Sequence, residues 1–308
     1  MTNIVVLNDK IHGLNPEAYA ETIRNAPLDA TVSLARTPVE ERTLLMEASV
    51  ATGYQIDPEL VEASETLELF VCTFAGTDHL PLETLESEGV VVKSASGVHG
   101  PNISEQVLGY VLADVRNLRQ AWRQHDNSEW RHYQGGELQG STVTVVGMGP
   151  IGRTIIDRFN AFDVDTIGVR YTPSKGGNAD EVIGFEEDAL LEAFSHSEYL
   201  VLACPLTETT EALIDETVFL TLPTDAMLIN VARGPVVDTD ALVAALRGND
   251  IRSAALDVTH PEPLPADHPL WTLGNCLVTP HNAGHTPQYW DRCTDILVDA
   301  LEATDASN

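Results

Sequence analysis

Three side chains that together could bind an anionic ligand and transfer a proton stand shortly after apolar, strand-like runs: Arg233, Glu262 and His281. A guanidinium makes two-point contact with a carboxylate, and an imidazole exchanges a proton near neutral pH. A carboxylate beside an imidazole raises the pKa of that imidazole and fixes its tautomer. Because α/β sheets bind ligands beyond the carboxyl ends of their strands, these residues predict a site at such an edge.

Each of these residues also has an ordinary structural interpretation. An Arg in a turn is often a surface ion pair, a lone His is often simply hydrogen-bonded, and a Glu between prolines is often a solvated loop carboxylate. Spacing alone does not prove that the three meet, and His260 and His285 compete with His281 for an acid–base role. The four cysteines do not cluster, and no metal site is predicted.

A glycine-rich turn precedes these segments. The β-favouring run Thr142–Val146 leads into Gly147-x-Gly149-x-x-Gly152, and residues 151–159 are predicted to be helical. In a strand–turn–helix, the first glycine permits the tight turn, the second lets a pyrophosphate approach, and the third lets helix and strand pack. Helix-terminal N–H groups then face the anion. The alternative is a strand–turn–helix that is glycine-rich by chance.

The elements that must position these groups alternate along the chain, which predicts parallel α/β sheets in two domains. Gly97–Pro101 is interpreted as the crossing between the domains, followed by one long helix, Asn102–Gln124. About six strands are expected in the second domain, as in a Rossmann domain. The predicted strands are 3–7, 30–34, 49–52, 67–72, 90–93, 142–146, 165–169, 199–203, 226–230, 253–257 and 276–279.

Ala75-Gly76 follows one of the first-domain strands. Its backbone N–H groups are suited to a carboxylate, although a plain turn between strand and helix explains the pair equally well. Tyr54 is a candidate for lining a pocket, with core packing as the alternative.

The charge of the chain is strongly acidic. Its 308 residues include 47 acidic and 17 basic residues, a formal net charge of −30. This charge opposes nucleic acid and anionic membranes as partners.

Lysine is scarce in the chain, with Lys10, Lys93 and Lys175 as the only lysines. An acidic surface with little lysine is typical of a halophilic protein, because concentrated salt screens its self-repulsion within a few ångströms. The alternative is an ordinary acidic enzyme.

Location is predicted from three features. Met1–Lys10 resembles a short strand carrying Asp9, not a signal sequence. No apolar run reaches the length of a membrane span. The cysteines are far apart, as in proteins of reducing compartments. A cytoplasmic protein is expected.

These segments, in this order, resemble the D-isomer-specific 2-hydroxyacid dehydrogenases from about Leu69 to Asp291. The resemblance implies a Rossmann-type doubly wound parallel sheet at 100–284, plus a smaller flavodoxin-like α/β substrate domain at 1–99, completed by 285–308. It is carried by the glycine fingerprint, Cys204-Pro205-Leu206-Thr207 with Thr210, Asn230-Val231-Ala232-Arg233-Gly234, Asp257-Val258 with Glu262-Pro263, and Thr279-Pro280-His281 with Ala283-Gly284.

The resemblance also implies roles. Arg233 binds the 2-oxo acid, His281 is the acid–base group, and Glu262 pairs with His281. Ala75-Gly76 matches the substrate-carboxylate loop, and the helix after residue 101 resembles a dimer-forming region, so a homodimer through the cofactor domain is expected. The cofactor-binding positions carried over are Gly147, Gly149, Pro150, Ile151, Gly152, Cys204, Pro205, Thr210, Val231, Ala232, Asp257 (near the nicotinamide), His281, Ala283 and Gly284.

Two positions depart from the family. Gln106 stands where many members have His. Arg170 ends the second Rossmann strand, where NAD-linked members carry an acidic residue for the ribose hydroxyls. A guanidinium has only donors, so it suits a 2′-phosphate, and Tyr171, Thr172 and Lys175 follow at once. NADP(H) is therefore expected to be preferred over NAD(H).

The resulting hypothesis is a reversible, NADPH-dependent reduction of a 2-oxo acid to a D-2-hydroxy acid. Closure of the two domains is expected to exclude water. The alternatives are a glyoxylate/hydroxypyruvate reductase, a phosphoglycerate dehydrogenase, or a cofactor-sensing binding protein like the corepressor relatives of the family. The short segment after His281 disfavours a regulated phosphoglycerate enzyme, and the intact Arg233, Glu262 and His281 disfavour the binding protein.

Overall fold

The computed structural model describes residues 2–8, 13–77 and 79–305. The features predicted at Asp9 and Lys10 lie outside these residues. The chain divides into two compact units, Met1–His99 with His285–Asn308, and Gly100–Gly284.

The first unit is built on five parallel strands in the order β2-β1-β3-β4-β5, the flavodoxin-like arrangement. Helices cover both faces of this sheet, as buried parallel strands require. The strands are β1 Thr2–Val6, β2 Ala30–Leu34, β3 Val50–Gly53, β4 Leu69–Cys72 and β5 Val91–Ser94, and the helices are α1 Pro16–Asn25, α2 Pro38–Leu45, α3 Pro58–Ala63 and α4 Leu82–Ser87.

Three of these helices begin in the same way, with a capping side chain followed by proline. Asn15, Thr37 and Asp57 each accept a hydrogen bond from a backbone N–H in the first turn of their helix. The proline that follows needs no partner for a missing N–H and has a φ already suited to a helix. This local chemistry sets the starts of α1, α2 and α3.

The second unit is built on seven parallel strands in the order β12-β11-β10-β9-β6-β7-β8, the doubly wound Rossmann order. Its elements are α5 Gly100–Val115, α6 Leu118–Asp126, β6 Thr142–Val146, α7 Pro150–Asn160, β7 Asp165–Val169, β8 Glu181–Ile183, α8 Glu187–Ser195, β9 Tyr199–Leu202, α9 Glu216–Thr221, β10 Met227–Asn230, α10 Thr239–Gly248, β11 Ser253–Leu256 and β12 Cys276–Val278. The predicted fold class is confirmed.

The C-terminal helix, α11 Tyr289–Asp305, returns to the first unit. Its buried side chains Tyr289, Trp290, Cys293 and Leu297 join a core with residues of β1 and α1. These two aromatic residues are therefore core residues of the first unit.

Two predictions about elements were wrong. The helix expected at Asn102–Gln124 is two helices, because Asn117 adopts a left-handed φ of 53° and its side chain donates to Gln120 Oε1. That conformation ends α5 before α6 begins. The second wrong prediction is the number of strands in the second unit. The structure adds a seventh strand, β8, which has three residues and is too short to show a hydrophobic pattern.

Candidate active site

The glycine fingerprint forms a turn that excludes side chains at two of its three positions. Gly147 has a φ of 102°, and a Cβ there would lie 2.7 Å from the Ala203 backbone. A Cβ on Gly152 would lie 1.8 Å from the Gly147 carbonyl oxygen, so α7 packs directly on the turn. Gly149 precedes α7 and has open space where a side chain would stand. An open backbone at a helix N-terminus fits a dinucleotide pyrophosphate.

A cavity of about 280 Å³ adjoins this turn. Its lining includes two cationic side chains and no acidic one among the described residues, so the cavity favours an anionic ligand. The lining residues are Gly147, Met148, Gly149, Arg170, Tyr171, Thr172, Lys175, Phe185, Ala203, Cys204, Pro205 and Thr210. Met148, Phe185 and Ala203 were not predicted. Phe185 lies just after β8. Because this strand was not predicted, Phe185 was not recognised as a strand-end residue.

Arg170 is the first residue after β7 rather than its last. Its guanidinium donates to the Gly176 carbonyl oxygen, which holds the side chain at the cavity. Beside it, the Tyr171 hydroxyl donates to Thr209 Oγ1, and the Tyr171 ring packs against Phe185 with centroids 5.0 Å apart. A fork with five N–H donors keeps further donors for an anion after this one bond.

Cys204 lies on the other side of the cavity, after β9. Burial raises the pKa of its thiol to about 11, so Cys204 remains a neutral, unreactive thiol at neutral pH. Thr210 accepts from the Thr207 N–H and donates to the Pro205 carbonyl oxygen. On this side of the cavity, the Thr210 hydroxyl therefore has its hydrogen-bond partners within its own loop.

Three neighbouring strands deliver the other predicted residues to one edge of the sheet. In the parallel register, Asn230 of β10 pairs with Leu256 of β11, and Leu256 pairs with Val278 of β12. Arg233 follows β10, Glu262 lies in the segment after β11, and His281 lies just after β12.

Asn230 builds the turn that presents Arg233. It is 1% exposed, its Oδ1 accepts from the Ala232 N–H at 2.9 Å, and its Nδ2 donates to the Arg233 carbonyl oxygen at 3.0 Å. A Cβ on Gly234 would lie 2.0 Å from the Thr259 carbonyl oxygen, so this turn packs against the segment that follows β11. The Arg233 side chain itself is exposed.

The His281 and Glu262 side chains are within hydrogen-bonding distance of each other. His281 Nδ1 lies 3.1 Å from Glu262 Oε2, and the other carboxylate oxygen of Glu262 accepts from the Thr259 N–H at 2.9 Å. With Nδ1 against the carboxylate, Nε2 is the ring nitrogen left for proton exchange. The contact favours His281 over His260 as the acid–base residue.

Asp257 holds the backbone on which His281 stands. Its carboxylate is 3% exposed and accepts from the Thr279 hydroxyl at 2.6 Å and from the N–H groups of Asn282 and Ala283 at 2.9 Å. Its own carbonyl oxygen accepts from the His281 N–H at 2.8 Å. His281 has a φ of 51°, a left-handed conformation that is costly for a residue with a side chain. Asp257 therefore anchors the loop on both sides of His281.

The first unit contains the remaining predicted residues. Ala75 and Gly76 are exposed in the loop after β4, and a Cβ on Gly76 would have no neighbour within 4 Å. The half-buried Tyr54 ring stacks on His79 at 4.1 Å and meets Phe74 edge-on at 5.6 Å.

Residues 108–283 match the family model described as D-isomer specific 2-hydroxyacid dehydrogenase, NAD binding domain. The chain belongs to the D-isomer specific 2-hydroxyacid dehydrogenases. It is thus an oxidoreductase with an NAD-binding domain of Rossmann type, as the glycine turn and the strand order indicated.

Individual members of the family are similar over most of this dehydrogenase. The human glyoxylate reductase/hydroxypyruvate reductase is 31% identical over 284 residues, which cover 84% of this chain and 86% of that enzyme. A D-3-phosphoglycerate dehydrogenase from Methanocaldococcus jannaschii is 33% identical over 256 residues, 82% of this chain. The match spans only 48% of that enzyme.

A crystal structure of a family member from Xanthobacter autotrophicus Py2, in complex with NADPH and MES, superposes on this dehydrogenase with a TM-score of 0.79. It is 25% identical, and the match covers 100% of this chain and 96% of that one.

Metal-ligand clusters and membrane-spanning helices are absent from the described part of the dehydrogenase. Within the described residues, no group of three metal-ligating side chains occurs, and no helix is both long and apolar enough to cross a membrane. His281 and His285 have the four-residue spacing of paired metal ligands on a helix, but this segment is not helical.

Proposed function

We propose that this dehydrogenase reversibly reduces a 2-oxo acid to a D-2-hydroxy acid with NADPH. The observation that carries the proposal is the contact between His281 and Glu262, at the sheet edge that also presents Arg233. When bound, the reduced nicotinamide supplies the hydride for C2 of the substrate. The groups needed for substrate binding and proton transfer come from the protein.

His281 holds the proton that the developing alkoxide takes up. Glu262 stabilises the protonated imidazole through Nδ1 and fixes the ring, so the proton is delivered from Nε2. Arg233 binds the substrate and stabilises the negative charge on its oxygen. Ala75 and Gly76 are proposed to bind the substrate carboxylate through their N–H groups, and Tyr54 is proposed as a further substrate contact.

The proposed cofactor preference is supported by the cavity beside the glycine turn. Arg170, Thr172 and Lys175 line it together, and the described lining has no carboxylate to accept the ribose hydroxyls of NAD. Guanidinium and ammonium groups pair well with a phosphate. In the first turn of α7, Ile151 would add a backbone N–H donor, and Pro150, which has no N–H, is proposed to contact the cofactor without donating. Val231, Ala232, Asp257, Ala283 and Gly284 are proposed to border the nicotinamide.

Kinetics on a panel of 2-oxo acids test the proposal. Glyoxylate, hydroxypyruvate, pyruvate and larger 2-oxo acids are each offered with NADPH and NADH, and cofactor oxidation is followed by absorbance. We expect turnover of at least one acid, with a higher kcat/KM for NADPH. The panel separates a glyoxylate/hydroxypyruvate reductase from other specificities. Tight NADPH binding without turnover of any acid would instead support a cofactor-sensing binding protein.

Arg233→Lys is the informative variant in the same assay. A point-charge ammonium cannot reproduce the planar two-donor fork, so kcat/KM should fall roughly thirtyfold. This factor corresponds to a loss of about 2 kcal/mol in transition-state stabilisation, the cost of losing a charge-assisted contact. NADPH affinity should change little. Wild-type kinetics in this variant would remove Arg233 from the site.

We also propose that the dehydrogenase is a homodimer through its cofactor unit. The support is a pair of exposed tryptophans on and after α6: Trp122 is 59% exposed and Trp130 is 94% exposed. Exposed aromatic residues of this size are typical of protein–protein contacts.

A cytoplasm rich in salt is the proposed environment. Among the described acidic residues, Asp257 is the one that is buried, so the large excess of negative charge lies at the surface. Its self-repulsion strains the compact state at low ionic strength. We expect the melting temperature and activity to rise from low salt to molar KCl. A melting temperature independent of KCl would refute this environment.

A further inference from the structure

The chain of hydrogen bonds behind the His281 loop begins on a different element, helix α5. Tyr110 is 4% exposed, and its hydroxyl lies 2.6 Å from Thr279 Oγ1. Thr279 Oγ1 in turn donates to Asp257 Oδ1 at 2.6 Å. Asp257 then accepts from the N–H groups on the C-terminal side of His281.

The direction of each bond follows from the donors available. Thr279 has a single hydroxyl proton and gives it to Asp257, so Thr279 Oγ1 must accept from the Tyr110 hydroxyl. Burial raises the pKa of Tyr110, which keeps the phenol protonated and able to donate. Gln106, one turn earlier on α5, partly offsets this rise in the pKa of Tyr110.

This chain of hydrogen bonds ends at the loop that carries His281. Asp257 fixes a loop whose residue 281 has a left-handed backbone conformation, and such conformations persist only where the surroundings impose them. Thr279 Oγ1 is bonded on one side to Asp257, and a second partner on its other side holds the hydroxyl more firmly. Tyr110 is that second partner.

We propose that Tyr110 is a positioning residue for catalysis, acting on His281 through Thr279 and Asp257. This inference rests on the proposed acid–base role of His281. It assigns a task to a phenol that does not line the cofactor cavity and whose hydroxyl is bonded to Thr279.

Variants that remove only hydroxyl groups test the proposal. Tyr110→Phe should lower kcat about three- to tenfold, as expected for one lost hydrogen bond, with less than about a twofold change in NADPH Kd. Thr279→Val should lower kcat at least as much, and Thr279→Ser, which keeps the hydroxyl, should restore it. The double variant should be no slower than Thr279→Val, because both changes break one chain of bonds.

The matched control is Tyr199→Phe, at the opposite, amino-terminal end of a strand. Tyr199 is also buried, and its hydroxyl accepts from Arg252. This variant should keep the wild-type kcat. Equal losses of kcat in Tyr110→Phe and Tyr199→Phe would show a general stability effect and overturn the proposal.

Hydrogen exchange gives a readout that does not depend on turnover. In the protein without cofactor, peptides containing Asn282 and Ala283 should exchange faster in Tyr110→Phe and Thr279→Val than in wild type, because their N–H partner is less well fixed. Unchanged exchange and kcat in Thr279→Val would overturn the inference and leave the proposed function standing. Absence of turnover in wild type would contradict the proposed function, whereas the exchange result would still report on the loop.

Discussion

Replacing His281 with alanine should lower kcat for reduction of a 2-oxo acid by about 10²- to 10⁴-fold, the range for loss of a general acid. The reason is that the variant has no proton donor beside the developing alkoxide, and water must supply the proton. NADPH Kd should stay within a few fold of wild type, because the glycine turn and the Arg170 cavity do not include this ring. Stopped-flow turnover and fluorescence titration of NADPH measure the two quantities.

His260→Ala and His285→Ala are the controls for this variant. They remove the same group from residues in the neighbouring segments, and each should retain most of the wild-type kcat. Glu262→Gln should lower kcat by a smaller factor than His281→Ala, because the imidazole remains but loses the carboxylate at Nδ1. If His281→Ala kept most of its kcat and one control lost it, that control residue would be the acid.

Arg170→Asp should reverse the cofactor preference, from NADPH to NADH. The change removes the fork that pairs with a 2′-phosphate and places there an acceptor for the ribose hydroxyls. We expect kcat/KM for NADPH to fall about tenfold to a hundredfold, the scale of one charged hydrogen-bonded contact. The measurement is kcat/KM for both cofactors in both proteins.

Arg158→Asp controls for charge. Arg158 is an exposed residue near the end of α7 and does not line the cofactor cavity, but its replacement changes the net charge of the chain by the same amount. The control is needed because a more negative protein repels any nucleotide, and this repulsion alone would lower kcat/KM for NADPH in Arg170→Asp. This control should weaken both cofactors equally, if at all. A wild-type preference for NADH, or an unchanged preference in Arg170→Asp, would contradict the assignment.

The parts of the fold that were predictable from sequence are those with local causes. A cap followed by proline marks the starts of α1, α2 and α3, and buried apolar runs mark β6 and β10. The break at Asn117 was missed, because apolar residues continue on both sides and only the left-handed backbone reveals it. Propensity gives a weak indication of such a single-residue conformation.

The candidate site was predictable as a set of strand-end residues but not as a network. Arg233, Glu262 and His281 were predicted from their type, their position and the resemblance to the family, and the structure brings His281 and Glu262 into contact. The anchoring contacts of Asp257 with Asn282 and Ala283, and of Tyr110 with Thr279, join residues far apart in sequence. No local pattern encodes them, because the contacts depend on how β11, β12 and α5 pack.

The return of α11 to the first unit has a consequence for synthesis on the ribosome. The core around β1 and α1 includes Tyr289, Trp290 and Leu297, which are translated after the whole second unit. The nascent N-terminal unit therefore leaves its emerging apolar surface uncovered while Gly100–Gly284 is made and folds. During that interval the strong negative charge of the chain opposes its aggregation through self-repulsion.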